Sequence, residues 1–378
     1  MKKVSIIAAA AMLAAGCCNC DKDSAGGSGV GSDGVKTFGM TKFGEKASLY
    51  TLKGKDGLVL EVTDDGGKVV KLMVPDREGK LLDVTIGFDS PSGWEQTDPY
   101  FGAIIGRFGN RIADGKFTLD GVEYSVPISD ATHNAALHGG VRGWDAYVWD
   151  AAPFKDGDNV GIVFSKTFPD GEQGFPGNVK AEVTYTVLPG NIWRIAYSAT
   201  TDKATPVNLT QHVYFNMNGE GTILDQDLMI DADSYLAVDK NLAPVGAPRS
   251  VEGTPFDFRT FHKVGERIDA PDEVLQYGPG YDHNWCLNGQ GFRKVAELRG
   301  KARAVEVWTD QIGLQFYAGN FIKNEWKMKG GTPMVYRGWL ALETQHYPNT
   351  PNRPDFPSVT LKPGETYKTV TEYRFKAL

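Results

Sequence analysis

A chain of 378 residues with a net charge of −7 and 41% hydrophobic residues is long enough for one large or two ordinary domains. Its acidic balance, with no basic stripe carrying interleaved aromatics, excludes a nucleic-acid partner. The 45 glycines and 20 prolines, set among short runs of Val, Tyr, Phe and Thr, favour strands and turns over helices.

At the N-terminus Lys2 and Lys3 precede an apolar stretch over 4–15, too short to cross a bilayer as a permanent helix, followed by Gly16-Cys17. The stretch Leu13-Ala14-Ala15-Gly16-Cys17 resembles a bacterial lipoprotein box. The expectation is a signal peptide over 1–16, acylation of Cys17, and an exported protein held on a membrane at the periplasmic side or in the outer membrane. Cys18 and Cys20 crowd the same anchor, which leaves Cys286 alone in the body of the chain. Neither a disulfide framework nor a metal-binding cysteine pair is expected, and the six histidines lack zinc-protease spacing. Gly, Ser, Asp and Lys in loose order make 17–44 a flexible tether, and 45–378 reads as one domain.

Strand signals begin at 47–52 and recur at 58–63, 68–74 and 82–88, the first three separated by Lys55-Asp56-Gly57 and Asp65-Gly66-Gly67. Short turn-linked strands of this kind are the pattern of an antiparallel β protein. Residues 91–96 predict a short helical turn. In 101–112 three glycines allow close backbone approach, and Arg107 and Arg111 stand in an apolar run. One arginine is expected to brace the scaffold through a carboxylate, while Asn110 and Arg111 present donors to a ligand. The segment 116–126 is a β-hairpin with Asp120-Gly121 at its turn.

In Leu137-His138-Gly139-Gly140 the two glycines are expected to let a ligand approach the imidazole. Strands follow at 161–166, 179–188 and 192–200, the last two joined by Pro189-Gly190-Asn191. Directly after them comes Asn208-Leu209-Thr210-Gln211-His212-Val213-Tyr214-Phe215-Asn216, which sets a histidine among hydroxyl and amide groups. An imidazole titrates near neutrality, so modest shifts let it hold or release a proton, and His212 reads as a catalytic acid.

Further strands are expected at 228–232 and 235–238. Gly280-Tyr281-Asp282-His283-Asn284-Trp285 then puts a carboxylate between two aromatics, an arrangement suited to a sugar, whose apolar faces stack on rings while its hydroxyls donate to the acid. Strands at 295–298, 304–309 and 313–317 come next, with Gln315 on the last. The apolar run Trp339-Leu340-Ala341-Leu342 reads as a buried strand delivering Glu343 at its end, where desolvation tunes the carboxylate as a base. Residues 366–376 supply a terminal strand, and no repeat or long amphipathic helix interrupts the pattern.

Gly106-Arg107-Phe108-Gly109-Asn110-Arg111-Ile112, Leu137-His138-Gly139-Gly140, the segment 208–216, Tyr281-Asp282-His283-Asn284, Gly313-Leu314-Gln315-Phe316-Tyr317 and Leu342-Glu343-Thr344-Gln345 occur in this order. In that respect the chain resembles the aldose 1-epimerase (galactose mutarotase) family over nearly all of its length after the tether. The resemblance implies an all-β, single-domain, large antiparallel β-supersandwich with a concave sugar site. It also implies an aldohexose (glucose or galactose) substrate, with Glu343 as general base at the C1 hydroxyl and His212 as general acid at the ring oxygen. Asn110, Arg111 and His138 then hold the sugar, Tyr214, Asp282 and Gln315 match sugar-contacting positions, and Arg107, Asn208 and His283 support them from behind. No cofactor is needed for the chemistry. Some relatives carry calcium, for which this sequence gives no position, and a monomer is the default state. Phe108-Gly109 departs from the smaller apolar residue and alanine frequent in relatives, a change expected to alter packing rather than chemistry. Three other readings stay open at this level: a non-catalytic sugar-binding lipoprotein, a sugar-phosphate epimerase on the same fold, and a glycoside hydrolase pairing Asp282 with Glu343.

Overall fold

The computed structural model describes residues 34–98 and 100–378. The expected signal peptide and Cys17 therefore lie outside the described residues. Strands dominate: among these residues the only α-helices are Ser92–Glu95 and Glu273–Tyr277, the second capped by the Asp272 carboxylate accepting from the Leu275 N–H at 3.0 Å. The chain forms the single-domain antiparallel supersandwich that the family resemblance implied.

The first strand, Val35–Met40, falls in the stretch read as tether. It pairs antiparallel with Lys46–Lys53, so the ordered domain starts about ten residues earlier than composition suggested. Its side chains are mostly exposed and only Phe38 enters the core, which is why no apolar alternation announced it. With Val59–Thr63, Val69–Pro75 and Leu81–Asp83 it completes a five-stranded meander. The expected strand over 82–88 stops at Asp83, beyond which Thr85 makes only an isolated bridge to Phe215.

The largest sheet has nine strands, and its centre is built from Asn159–Phe168, Val179–Leu188, Ile192–Thr201, Tyr367–Ala377 and Arg303–Thr309. Val179–Leu188 buries every second residue, so one face packs while the other meets solvent. It joins the next strand through the three-residue turn Pro189-Gly190-Asn191, in which Gly190 and Asn191 adopt positive φ (82° and 57°). A six-stranded sheet packs against it in the order Tyr214–Phe215, Leu340–Gln345, Gly313–Tyr317, Asp282–Cys286, Ser234–Leu236, Arg249–Ser250. Between the two lies a core that includes Tyr185, Ile195, Val305 and Tyr373 from one side and Trp285, Leu314, Phe316, Leu340 and Leu342 from the other. Phe108 is fully buried in a smaller cluster with Ile112, Phe117 and Phe175, and a Cβ on Gly109 would stand 3.2 Å from the Asn208 carbonyl. The unusual pair therefore acts on packing.

The six-stranded sheet positions the site. All six residues of Leu340–Gln345 are buried, yet alternate ones point to opposite faces. Leu340 and Leu342 enter the core; Ala341 and Glu343 turn to the concave side. Register carries this across the sheet: Tyr214 pairs with Ala341, Ala341 with Tyr317, and Tyr317 with Asp282, while Glu343 pairs with Gln315 and Gln315 with Asn284. Two parallel rows of polar and aromatic side chains thus share one face, with the apolar core behind them.

Candidate active site

The two rows form the floor of a cavity of about 490 Å3, lined by Asp98, Tyr100, Asn110, Arg111, Leu137, His138, His212, Tyr214, Asp282, Tyr317, Phe321 and Glu343. Its size suits a small ligand held by a few convergent polar groups. Seven of the eight predicted site residues in the domain line it. Gln315 is not among the lining residues; its amide donates to Asp282 at 2.7 Å and so holds that carboxylate in place. Glu343 is the fourth residue of its six-residue strand rather than its end, because the apolar pattern that marked the strand lies on the opposite face.

His212 and Glu343, distant in sequence, approach with Nε2 3.6 Å from Oε1. Both are buried, with 5% and 2% of their surface exposed. The His212 ring stacks on Tyr214, centroids 5.1 Å apart and 13° from parallel, which fixes its plane. Burial lowers the His212 pKa to about 4, because the imidazolium loses its hydration there. Burial also pushes the Glu343 carboxyl well above its ordinary range; the charges of Asp282 and Asp98 push the same way, against the pull of Arg111. These shifts favour the shared proton on Glu343 at rest; moved to His212 across the short gap, it leaves a carboxylate able to act as base and an imidazolium able to act as acid. The pair is equipped to give a proton at one point and take one at another less than 4 Å away.

Arg111 ties the polar wall together. Its Nε donates to Asp130 at 3.2 Å, and its Nη1 lies 3.7 Å from Asp282. Asn110 and His138, both in left-handed backbone (φ 66° and 53°), lock one another: the Asn110 N–H donates to Nδ1 of His138 at 3.1 Å, and the His138 N–H donates to the Asn110 carbonyl at 3.1 Å. A neutral imidazole whose Nδ1 accepts a bond carries its proton on Nε2, so His138 offers a fixed donor. Burial, with His212 and Arg111 nearby, keeps it neutral by lowering its pKa well below the usual value.

The glycines after His138 serve the scaffold instead of ligand approach. A Cβ on Gly139 would fall 2.1 Å from the Gly106 carbonyl oxygen, and one on Gly140 would fall 2.9 Å from Gln173. Both positions are also left-handed, which a side chain would strain. Behind the cavity, Arg107 is fully buried and donates to the carbonyls of Pro176 and Gly177 at 2.7 and 3.0 Å, with Glu172 at 3.9 Å as its carboxylate. Asn208 bridges the Gly109 carbonyl and the His346 N–H at 3.2 and 2.9 Å. His283, on the core face of its strand, accepts from the Asp282 N–H and reaches the Val274 carbonyl, at 3.1 and 3.0 Å. All three hold the site without lining it.

His138, His212 and Glu343 also form a group of metal-capable atoms within 4.8 Å of one another. Two imidazoles and one carboxylate do not match the all-oxygen shell that calcium prefers. The proton on His138 Nε2 further removes the lone pair that a softer metal would need there. The group fits proton transfer, not a resident ion. Asp98, Tyr100, Leu137, Tyr317 and Phe321 line the cavity without having been foreseen as site residues. Tyr317 alone had a signal, since it lies two residues beyond Gln315 and so on the same face of the strand.

The aldose 1-epimerase family model matches residues 48–374. Galactose mutarotase from Bos taurus is 41% identical over 325 residues, covering 85% of this chain and 92% of that protein. Aldose 1-epimerase from Escherichia coli K12 is 37% identical over 355 residues, covering 90% and 99%. Among solved structures, galactose 1-epimerase from Lactobacillus acidophilus superposes with a TM-score of 0.80 at 26% identity, over 91% of this chain and 98% of that one. An aldose epimerase homologue from C. elegans gives 0.79 at 28% identity, over 88% and 99%.

Proposed function

The chain belongs to the aldose 1-epimerase family, and from that membership we propose that it interconverts the α and β anomers of an aldohexose such as glucose or galactose through His212 and Glu343. The observation that supports this assignment of roles is the 3.6 Å approach of the two side chains in a buried cavity. The C1 hydroxyl oxygen and the ring oxygen of a pyranose are both bonded to C1, so two proton carriers this close face both at once. In the tautomer with the shared proton on His212, Glu343 takes the proton from the C1 hydroxyl as His212 gives one to the ring oxygen. The bond from C1 to the ring oxygen breaks and the C1 oxygen becomes the aldehyde. Rotation about the bond from C1 to C2 and closure on the other face yield the second anomer, with the two residues exchanging roles. Proton transfer suffices, and no cofactor takes part. His138 through Nε2–H and Arg111 donate to sugar oxygens, while Asp282, steadied by Gln315, accepts from hydroxyls.

The experiment is polarimetry of freshly dissolved α-glucose and α-galactose with and without protein. Relaxation no faster than the spontaneous rate would leave a sugar-holding protein as the better description. A sugar phosphate is disfavoured because Arg111 is the one cationic side chain among the described lining residues, and Asp130 and Asp282 already engage it.

The protonation states predict the pH profile. Below about 4 a second proton enters the pair and the base is lost; above the raised pKa of Glu343 the last proton leaves and the acid is lost. The value of kcat/KM is expected to hold a plateau between an acid limb near 4 and an alkaline limb well above the carboxylate range. A profile falling as pH drops through 6 to 7 would instead place a free histidine base in the reaction. Arg111→Ala removes a charged donor and leaves Asp282 without its cation, so KM is expected to rise about tenfold or more; an unchanged affinity in a sugar titration would exclude the role.

Export and anchoring through Cys17 rest on the sequence pattern of the N-terminus, and would place the activity on sugars outside the inner membrane. Metabolic labelling with a fatty-acid analogue, followed by fractionation, tests this. A soluble protein with unmodified Cys17 overturns it.

A further inference from the structure

Asp98 is a carboxylate in the catalytic cavity that the proton-transfer scheme does not use. It follows the helix Ser92–Glu95, so it reaches the cavity from a segment unrelated to the six-stranded sheet that carries Asp282 and Glu343. Its Oδ1 accepts from the Tyr100 N–H at 2.9 Å, which fixes the side chain; Oδ2 has no hydrogen-bond donor among the described residues. The other carboxylates there are accounted for. Asp282 has Gln315 and Arg111, and Glu343 has His212. Asp98 has no cation and one backbone bond, and burial pushes its carboxyl up to about 6. Asp98 is half-buried, and its Oδ2, open to the cavity, is available to accept from whatever group occupies it. A hexose brings several hydroxyls, each able to donate.

We propose that Asp98 contacts the substrate directly, Oδ2 accepting a hydrogen bond from one ring or exocyclic hydroxyl of the bound aldose other than that on C1. Asp98 is then a specificity-determining residue, reading the presence and orientation of a single hydroxyl from the wall that Asp282 does not occupy. This deepens the mutarotase reading and rests on it.

The test compares glucose with its 2-, 3-, 4- and 6-deoxy analogues in the wild-type chain, Asp98→Ala and Asp98→Asn, following anomer exchange by NMR. Asp98→Ala is expected to lower kcat/KM for glucose about 10- to 100-fold, as loss of a charge-assisted bond implies. For the one analogue lacking the contacted hydroxyl, the same substitution should cost less than about threefold, because the bond is already absent. Asp98→Asn keeps the oxygen that accepts from Tyr100 and should show the same pattern with smaller losses. That makes it the informative variant if the alanine form misfolds. Equal losses across glucose and all four analogues, or no loss at all, overturn the contact. Failure of the wild-type chain to accelerate glucose exchange would overturn the mutarotase reading itself, an outcome separable from these.

Discussion

Glu343→Gln is expected to lower kcat for glucose anomer exchange by about 10²- to 10⁴-fold, the range a positioned proton carrier supplies. The amide has nearly the volume of the carboxylic acid and sits in a strand whose six residues are all buried, so the backbone has no reason to move. What disappears is the atom proposed to take the proton from the C1 hydroxyl. The fold is expected to gain from the change. A carboxyl whose folded pKa lies above its unfolded value costs no stability below the unfolded value, and costs progressively more as pH rises from the unfolded value to the folded one. At pH 7 to 8 the glutamine variant should therefore melt at or above the wild-type temperature, and at pH 4 the difference should vanish. Near-wild-type turnover in this variant, measured by polarimetry with the spontaneous rate subtracted, would overturn the role of Glu343.

His212→Asn is the second large loss. Asparagine fills part of the imidazole volume beside Tyr214 but neither releases nor stores a proton, so departure of the ring oxygen goes unassisted. A kcat reduction of about 10²- to 10⁴-fold is expected with a much smaller change in KM, because the sugar is held chiefly by Arg111, His138 and Asp282. Since the two residues act as one proton-holding unit, the double variant should be little slower than the slower single one. Multiplicative losses would mean that they act in separate steps. If KM rose with kcat intact, His212 would be a binding group and the acid would have to be sought elsewhere in the cavity.

Rate losses of this size have context in the uncatalysed reaction. Mutarotation proceeds in water without help, so an enzyme for it needs little beyond two proton carriers and a site that orients the ring. The buried His212 and Glu343 fit that modest demand. Their environment shifts their pKa values in opposite directions, His212 down and Glu343 up, through the burial they share.

The sequence by itself determined the strand-and-turn character of the chain, most strands of the two large sheets, the hairpins at Asp120-Gly121 and Pro189-Gly190-Asn191, and the choice of His212 and Glu343 as candidates, which the fold brings together in one cavity. These were legible because local periodicity and turn chemistry are written in adjacent residues, and because a carboxylate in an apolar run stands out. Only the tertiary structure decided the rest. The strand Val35–Met40 is specified by pairing with a neighbour and has little apolar alternation of its own. Gln315 donates to Asp282, a relation between two strands that neither strand shows alone. Gly139 is required by the Gly106 carbonyl that fills its missing Cβ position, and Gly140 by its left-handed backbone. Asp98 enters the site because a loop outside the six-stranded sheet folds over it. Gly140 apart, the deciding contact joins residues distant along the chain, and such contacts leave no mark on the periodicity of either segment.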